Sequence, residues 1–305
     1  MITLFACPKP MEGEFLRLQE NAIGSWVRLG IGVEILLFGD ERGVAAFARR
    51  TGLDHFPAVM QTEFGTPRVD DLFRQAESIA AQSLICYINA DIILGRNFLD
   101  AVRALSAIER PFLAVGRRWD LEITEEIDYS DPKWEARLRE QVRERGSLHA
   151  ETGIDYFIFR RGLWGKIPPF AIGRTMWDNW LILGARKRGA MVIDATESIW
   201  AVHQNHGYNH HPQGADGVWK GPEAVMNERL AGGSFRLFSI LDATHRLADG
   251  RMERFADPEH RQRERFMLPG ISRRAAWVEA VEKRFARAAG SIRERLVRLK
   301  GKNSR

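Results

Sequence analysis

Asn89-Ala90-Asp91 closes the most hydrophobic run of the chain, Leu84-Ile85-Cys86-Tyr87-Ile88, and so sets one carboxylate and one carboxamide at a strand end. A carboxylate in that position can hold a divalent ion, which in turn neutralises two phosphates. The plainer reading is a turn whose side chains hydrogen-bond to their own backbone. A second carboxylate, Asp178, lies between two rings in Trp177-Asp178-Asn179-Trp180. Partial desolvation there would raise its proton affinity and suit it to accept a proton, while the rings could stack on a sugar face. The alternative is an Asp that opens a helix and is stabilised by its dipole, with both tryptophans in the core. Asp155 interrupts an apolar run, so it either faces the site or is satisfied by a buried partner such as Arg174; contact with a reactant is the preferred reading. Four of the eight histidines, His203, His206, His210 and His211, fall in one short segment. No cysteine or Glu-x-x-His companion makes that segment a zinc site of its own.

Something must hold these groups in place, and the first half of the chain supplies it. Short apolar runs at 2–7 and 33–38 alternate with helical patterns at 15–29 and 43–50. A further strand is expected at 56–60, then a helix opened by Thr66-Pro67 with Asp70 and Asp71 near its positive end. Val69, Leu72, Phe73, Ala76, Ile79 and Ala80 share one face of it. Leu84–Ile88 is apolar on both faces, as a central strand must be. Strands at 112–116, 155–159 and 191–193 and helices at 132–145 and 177–188 follow. The pattern predicts an α/β fold with a mixed, mostly parallel sheet flanked by helices. Ligands of such sheets bind beyond the carboxyl ends of the strands, where Lys9, Asp40, Asn89 and Asp91 stand.

Two stretches carry a family resemblance. Thr66-Pro67-Arg68-Val69-Asp70-Asp71-Leu72-Phe73 through Tyr87-Ile88-Asn89-Ala90-Asp91-Ile92-Ile93-Leu94 resembles the nucleotide-binding half of GT-A-fold glycosyltransferases, the Rossmann-like nucleotide-diphospho-sugar transferases. The segments 152–159, 167–174 and 177–180 resemble the acceptor side of the same bacterial and plant enzymes. The resemblance implies transfer of a sugar from a nucleotide diphosphate-sugar donor to a saccharide or lipid-linked hydroxyl, with Mn²⁺ or Mg²⁺. Donor contacts are expected from Cys7, Lys9, Asp40, Asn89 and Asp91 at the strand ends, and the resemblance carries over Arg68 and Arg74 as diphosphate contacts. Metal would be held by Asp91 with His206 first and His203 second, Asp178 would be the general base with Asp155 beside it, and Trp177, Asn179 and Trp180 would meet the acceptor. The chain departs from the Asp-x-Asp-type pattern at Asn89, which supplies no charge. Arg68 and Arg74 could equally be solvated helix charges.

Composition narrows the alternatives. The 305 residues are 45% hydrophobic and 28% charged, which excludes disorder and fibrous repeats, and no run is long enough to span a bilayer. The N-terminus lacks a signal-peptide pattern, so a cytoplasmic location is expected. Cys7 and Cys86 read as reduced core thiols. A net charge of +5 gathers largely after residue 270, and no nucleic-acid partner is expected. There Trp277, Val281, Phe285, Ala288, Ile292, Leu296 and Leu299 form an apolar stripe beside arginines. Such a helix could lie on an anionic membrane surface, pack on its own domain or pair two copies. The expected division is a catalytic domain over 1–222 and a helical region over 223–305. The segment after the first strand lacks the glycine-rich loop of a sugar-phosphate nucleotidyltransferase, and Asn89 stands where an aspartyl-phosphatase needs its nucleophile. A non-catalytic nucleotide-sugar or polysaccharide binder at a membrane surface is the alternative from a different class.

Overall fold

The computed structural model describes residues 1–207, 214–233, 237–272 and 274–281. Along the chain these form β1 (Ile2–Ala6), α1 (Gly13–Val27), β2 (Val33–Phe38), α2 (Val44–Thr51), β3 (Asp54–Phe56), α3 (Val69–Ile79), β4 (Leu84–Ile88), β5 (Ile92–Leu94) and α4 (Asn97–Ser106). Then come β6 (Phe112–Val115), β7 (Trp119–Leu121), α5 (Trp134–Arg145), β8 (Ser147–Leu148), β9 (Tyr156–Arg160), α6 (Trp177–Lys187), β10 (Met191–Asp194) and β11 (Ala201–Gln204). The last are α7 (Gly214–Lys220), α8 (Pro222–Ala231), β12 (His245–Ala248), β13 (Arg251–Arg254) and α9 (Pro258–Ile271).

The main sheet has nine strands in the order β13-β12-β10-β6-β9-β4-β1-β2-β3. The neighbours β1–β2, β1–β4, β2–β3, β6–β10 and β10–β12 are parallel, while β9 runs antiparallel between β4 and β6. The expected mixed, mostly parallel sheet with flanking helices is therefore what the chain forms. Alternation along β1 explains the layering: Ile2, Leu4 and Ala6 join a core with Trp26 of α1, Phe47 of α2 and Phe98 of α4. The opposite face is aromatic. There Phe5 and Tyr87 meet Phe73 of α3, and Tyr87 and Phe157 meet Trp177 of α6.

A second sheet, β5-β11-β7-β8, sits beside the turn after β4. Its strands of two to four residues were not legible as strands in the sequence, and α4 was not assigned there either. It has a small core of its own, in which Ile93, Leu121 and Val202 pack with Leu138 and Val142 of α5. Helix α1 pins its edge strand, since Trp26 Nε1 donates to the Ile92 carbonyl at 2.8 Å and Ser25 Oγ accepts from Leu94 N–H at 3.0 Å. Strand β3 ends at Phe56 rather than running over 56–60, because Pro57 has no N–H for the ladder.

Two compact units emerge, Met1–Phe255 and Ala256–Arg305. The break lies later than the 222/223 division expected from sequence: β12 and β13 extend the main sheet, and the segments His-Arg-Leu-Ala and Arg-Met-Glu-Arg hold too few apolar residues to be read as strands. In the second unit α9 is capped by Asp257, whose carboxylate accepts from His260 N–H at 3.0 Å. Residues 274–281 are also helical, whereas β12 and β13 fall inside the 223–305 stretch expected to be helical. The stripe from Phe285 to Leu299 lies outside the described residues, as do His210 and His211. Among the described residues no helix is long and apolar enough to cross a membrane.

Candidate functional site

Strands β1 and β4 are parallel neighbours, so the segments that follow them emerge at the same edge of the sheet. One carries Lys9 and the other Asp91, and Lys9 Nζ lies 3.7 Å from Asp91 Oδ2. The Lys9 backbone is fixed from α1: Gln19 Oε1 accepts from its N–H at 2.7 Å and Gln19 Nε2 donates to its carbonyl at 3.0 Å. Burial lowers the proton affinity of Lys9, a loss that Asp91 and Asp155 partly offset.

Strand β11 brings the histidines to the same point. It pairs antiparallel with β5, setting His203 opposite Ile92, and parallel with β7, setting His203 beside Asp120. His206 follows two residues after the strand ends and places Nε2 3.1 Å from Asp91 Oδ2. Ligand atoms of Asp91, His203 and His206 all lie within 4.8 Å of one another. Two features fit this trio to a divalent cation. Asp91 Oδ1 is buried with no hydrogen-bond partner among the described residues. The His206 ring is also oriented as a ligand requires, its Nδ1 lying 2.8 Å from the Gly207 carbonyl, while His203 Nδ1 approaches Asp120 Oδ1 at 3.2 Å without hydrogen-bond geometry. For His206 the Gly207 carbonyl calls for Nδ1–H and leaves Nε2 facing Asp91. Burial works against ionisation of Asp91, but the His206 contact and the charge of Lys9 outweigh it and hold the carboxyl well below the usual range.

Asn89 does something the sequence did not reveal. It continues the β4–β9 pairing, its N–H donating to the Asp155 carbonyl at 2.9 Å. Its Oδ1 accepts from Tyr87 Oη at 2.7 Å, and its Nδ2 donates to Asp155 Oδ1 at 2.5 Å. The partner of Asp155 is not Arg174, the one named from sequence, but Arg118, whose Nη1 donates to Oδ2 at 2.6 Å. Asp155 is buried with both oxygens engaged. Arg118 also donates to Asp120 at 2.9 Å, and Asp120 in turn meets His149 Nδ1 at 2.5 Å and His203. Hydrogen bonds and charge from these histidines and Arg118 overcome burial and depress the Asp120 carboxyl. A polar chain thus runs from Tyr87 through Asn89, Asp155, Arg118 and Asp120 to His203. Asp120 is the residue that sequence reasoning missed, because only the β7–β11 register brings it to the histidine.

Asp178 lies in the first turn of α6, just after Met176, whose φ of 81° is a left-handed value that non-glycine residues rarely adopt. Its Oδ1 accepts from Asn179 N–H at 2.8 Å. Desolvation, reinforced by the negative charge of Asp155, raises its pKa to about 7 even though that backbone bond opposes the shift. The flanking acceptor candidates separate. Trp177 is buried edge-on to Tyr87 at 5.2 Å, and Asn179 is buried with Nδ2 donating to the Phe238 carbonyl at 2.7 Å. Both are core groups. Trp180, packed on Phe170, is the partly exposed one.

A cavity of about 680 Å³, a size suited to a small-molecule ligand, opens beside Lys9 and Asp91; Asp178, Trp180, His203 and His206 are not among the residues that line it. Cys7, Lys9, Asn89 and Asp91 line it as expected. Burial, then the charges of Glu41 and Asp40, push the Cys7 thiol up to about 12, so it is no nucleophile. Asp40 itself is exposed and its neighbour Glu41 lines the cavity instead. The two helix arginines are engaged locally, away from the lining: Arg68 forms a two-pronged pair with Asp70 at 3.0 and 2.7 Å, and Arg74 pairs with Asp71 while remaining largely exposed. An arginine that does line the cavity is Arg174, held by Glu223 of α8 at 2.7 Å.

No protein-family model matches the sequence, and no curated protein matches it. Similar solved structures include the 1–349 fragment of TarS from S. aureus, at 9% identity over 67% of this chain and 60% of that one with a TM-score of 0.44. A mannosyltransferase from Pyrobaculum calidifontis in complex with GDP-Man and Mn²⁺ matches at 13% identity over 66% of this chain and 56% of that one, TM-score 0.41. Glucosyl-3-phosphoglycerate synthase from Mycobacterium tuberculosis in complex with Mg²⁺ and UDP matches at 14% identity over 77% of this chain and 80% of that one, TM-score 0.44. The chain thus spans less than two thirds of the first of these.

Proposed function

We infer that this chain is a GT-A-type glycosyltransferase that moves a sugar from a nucleoside diphosphate donor to an acceptor hydroxyl. The observation that carries the reading is the trio Asp91, His203 and His206 beside Lys9, at the edge of a cavity beyond the carboxyl ends of β1 and β4. Mn²⁺ or Mg²⁺ held by that trio would supply positive charge to the departing diphosphate. Lys9 adds a second positive group facing the same cavity, which is the charge a diphosphate needs.

Asp178 is the general base of this reading. A pKa of about 7 keeps a useful fraction ionised at neutral pH while leaving the carboxylate basic enough to take the acceptor proton. One positioned base favours a single displacement with inversion at the anomeric carbon. Asp155 contributes through Asn89 and by its negative charge near Asp178, and Trp180 is the ring left to meet the acceptor. The acceptor is a saccharide or lipid-linked hydroxyl, and the basic C-terminal segment is the element that would meet a membrane surface or a second copy.

The test is calorimetric titration of UDP, GDP and ADP with Mn²⁺ into the full chain and into Asp91→Ala. The variant should lose metal-dependent nucleotide binding while its thermal transition is retained. Binding that survives in Asp91→Ala at saturating Mn²⁺ sinks the metal assignment. Donor turnover separates an enzyme from the non-catalytic binder: tight nucleotide-sugar binding with no release of nucleoside diphosphate under any acceptor favours the binder.

A further inference from the structure

Lys9 stands where a metal site ordinarily has no room for a fixed positive charge. Its Nζ is 3.7 Å from Asp91 Oδ2 and 3.4 Å from His206 Nε2, so the ammonium touches atoms of two of the three candidate ligands. The side chain is held there from several sides. Gln19 fixes its backbone in both directions, and the Phe15 ring lies 4.7 Å from Nζ. Because Lys9 lines the cavity and is 31% exposed, it can still turn toward a ligand that enters.

Among the described residues, Asp91 contributes one negative charge here and Lys9, in contact with it, one positive. Asn89, where the Asp-x-Asp pattern has a carboxylate, adds nothing and is already bonded to Tyr87 and Asp155. Asp91 is therefore balanced before any divalent ion arrives. A bare divalent ion on the unpartnered Oδ1 of Asp91 would add two uncompensated positive charges beside the Lys9 ammonium on Oδ2. A diphosphate reverses this, since its own negative charges can satisfy the ammonium and the ion together.

Resting on the metal reading above, we propose that Lys9 is the resident counter-cation of Asp91, which keeps a bare divalent ion out and admits it only together with a diphosphate. Cation and diphosphate then bind as one cooperative unit. Each raises the affinity of the other by the same factor, as linkage requires.

The experiment is calorimetry and Mn²⁺ paramagnetic resonance on the full chain, using Mn²⁺ alone and Mn²⁺ with UDP, GDP or ADP. Wild type should bind Mn²⁺ alone weakly and far more tightly once a nucleoside diphosphate is present. Lys9→Met keeps the length and apolar stem of the side chain but removes the charge. It should bind Mn²⁺ alone about tenfold or more tightly than wild type, with the gain from added diphosphate reduced. Lys9→Arg keeps the charge and should bind Mn²⁺ alone no better than wild type. Equal or weaker binding of Mn²⁺ alone by a folded Lys9→Met overturns the proposal while leaving the metal site standing, and so does a gain in Lys9→Arg. If neither wild type nor Lys9→Met binds Mn²⁺ with or without any of the three nucleotides, the metal reading falls and the proposal falls with it.

Discussion

Replacing Asp178 with asparagine should cost activity and increase stability, in a pH-dependent way. The carboxyl starts from an ordinary pKa of 3.8 and is raised to about 7, chiefly by desolvation and then by the charge of Asp155. Because the folded state holds this proton more tightly than the unfolded chain, stability is fully present below pH 3.8 and is lost as pH rises through about 7. About three pH units at 1.36 kcal/mol each give a loss of about 4 kcal/mol above neutrality, reduced by the water that reaches the partly exposed side chain. The substituted carboxamide would carry no charge at any pH, and its oxygen can still accept from Asn179 N–H. Urea unfolding of wild type and Asp178→Asn at pH 5 and pH 8.5 is the assay. The variant should be the more stable by only about 1–2 kcal/mol at pH 5, where the unfolded carboxyl alone is ionised, and by about 2–4 kcal/mol at pH 8.5. Turnover should fall by about 10²- to 10⁴-fold, as for loss of a general base. A variant destabilised to the same degree at both pH values would refute the claim that Asp178 is a desolvated charge, and near-normal turnover would remove it from the mechanism.

Three further substitutions test other parts of the site. Asp120→Asn weakens the outer contact that orients His203, and should lower Mn²⁺ affinity in the presence of nucleotide by about 10- to 100-fold; calorimetry showing no change would mean that His203 needs no such orientation or binds no metal. Arg118→Leu leaves Asp155 and Asp120 without their shared cation, and should destabilise the fold by about 3–5 kcal/mol in urea titration. A loss under about 1 kcal/mol, the range of exposed pairs, would show that water already screens this network. Trp177→Ala should cost about 3–5 kcal/mol as a core truncation, whereas Trp180→Ala should leave the melting temperature nearly unchanged and raise the acceptor KM. The reverse pattern would restore Trp177 as the acceptor platform.

The parts of this site that were legible in the sequence are those whose signal is local. Leu84–Ile88 reads as a central strand because every residue is apolar, and the polar turn after it is an immediate consequence. Lys9 was reachable for the same reason, as the polar residue just past another buried strand. The histidine pair was visible as composition in one short segment. Its junction with Asp91 depends on β5 and β11, strands of three and four residues held by packing on α1 and by register rather than by pattern. Asp120 was hidden more deeply, since Trp119-Asp120-Leu121 offers no period long enough to read and its meaning comes only from lying beside His203 in the parallel ladder.

The misleading arginines follow from the same distinction. Arg68 and Arg74 sit at the start and on the surface of a helix that also carries Asp70 and Asp71, and spacings of two and three residues let each charge be satisfied without leaving its own turn. Local pairing of that kind is a reason to discount a helix arginine as a phosphate ligand. Arg174 has no acidic residue within three positions in sequence and reaches across the fold to Glu223. The same reasoning applies at Asn89. An acidic residue there would bring a second negative charge to within hydrogen-bonding reach of Asp155, whose partner Arg118 is already shared with Asp120. The carboxamide instead donates to Asp155 and accepts from Tyr87, so the departure from an acidic pair follows from the network behind the turn. That network leaves Asp91 as the one carboxylate of the ligand trio, in contact with a single lysine, and it makes the charge on Lys9 decisive for what the site will admit.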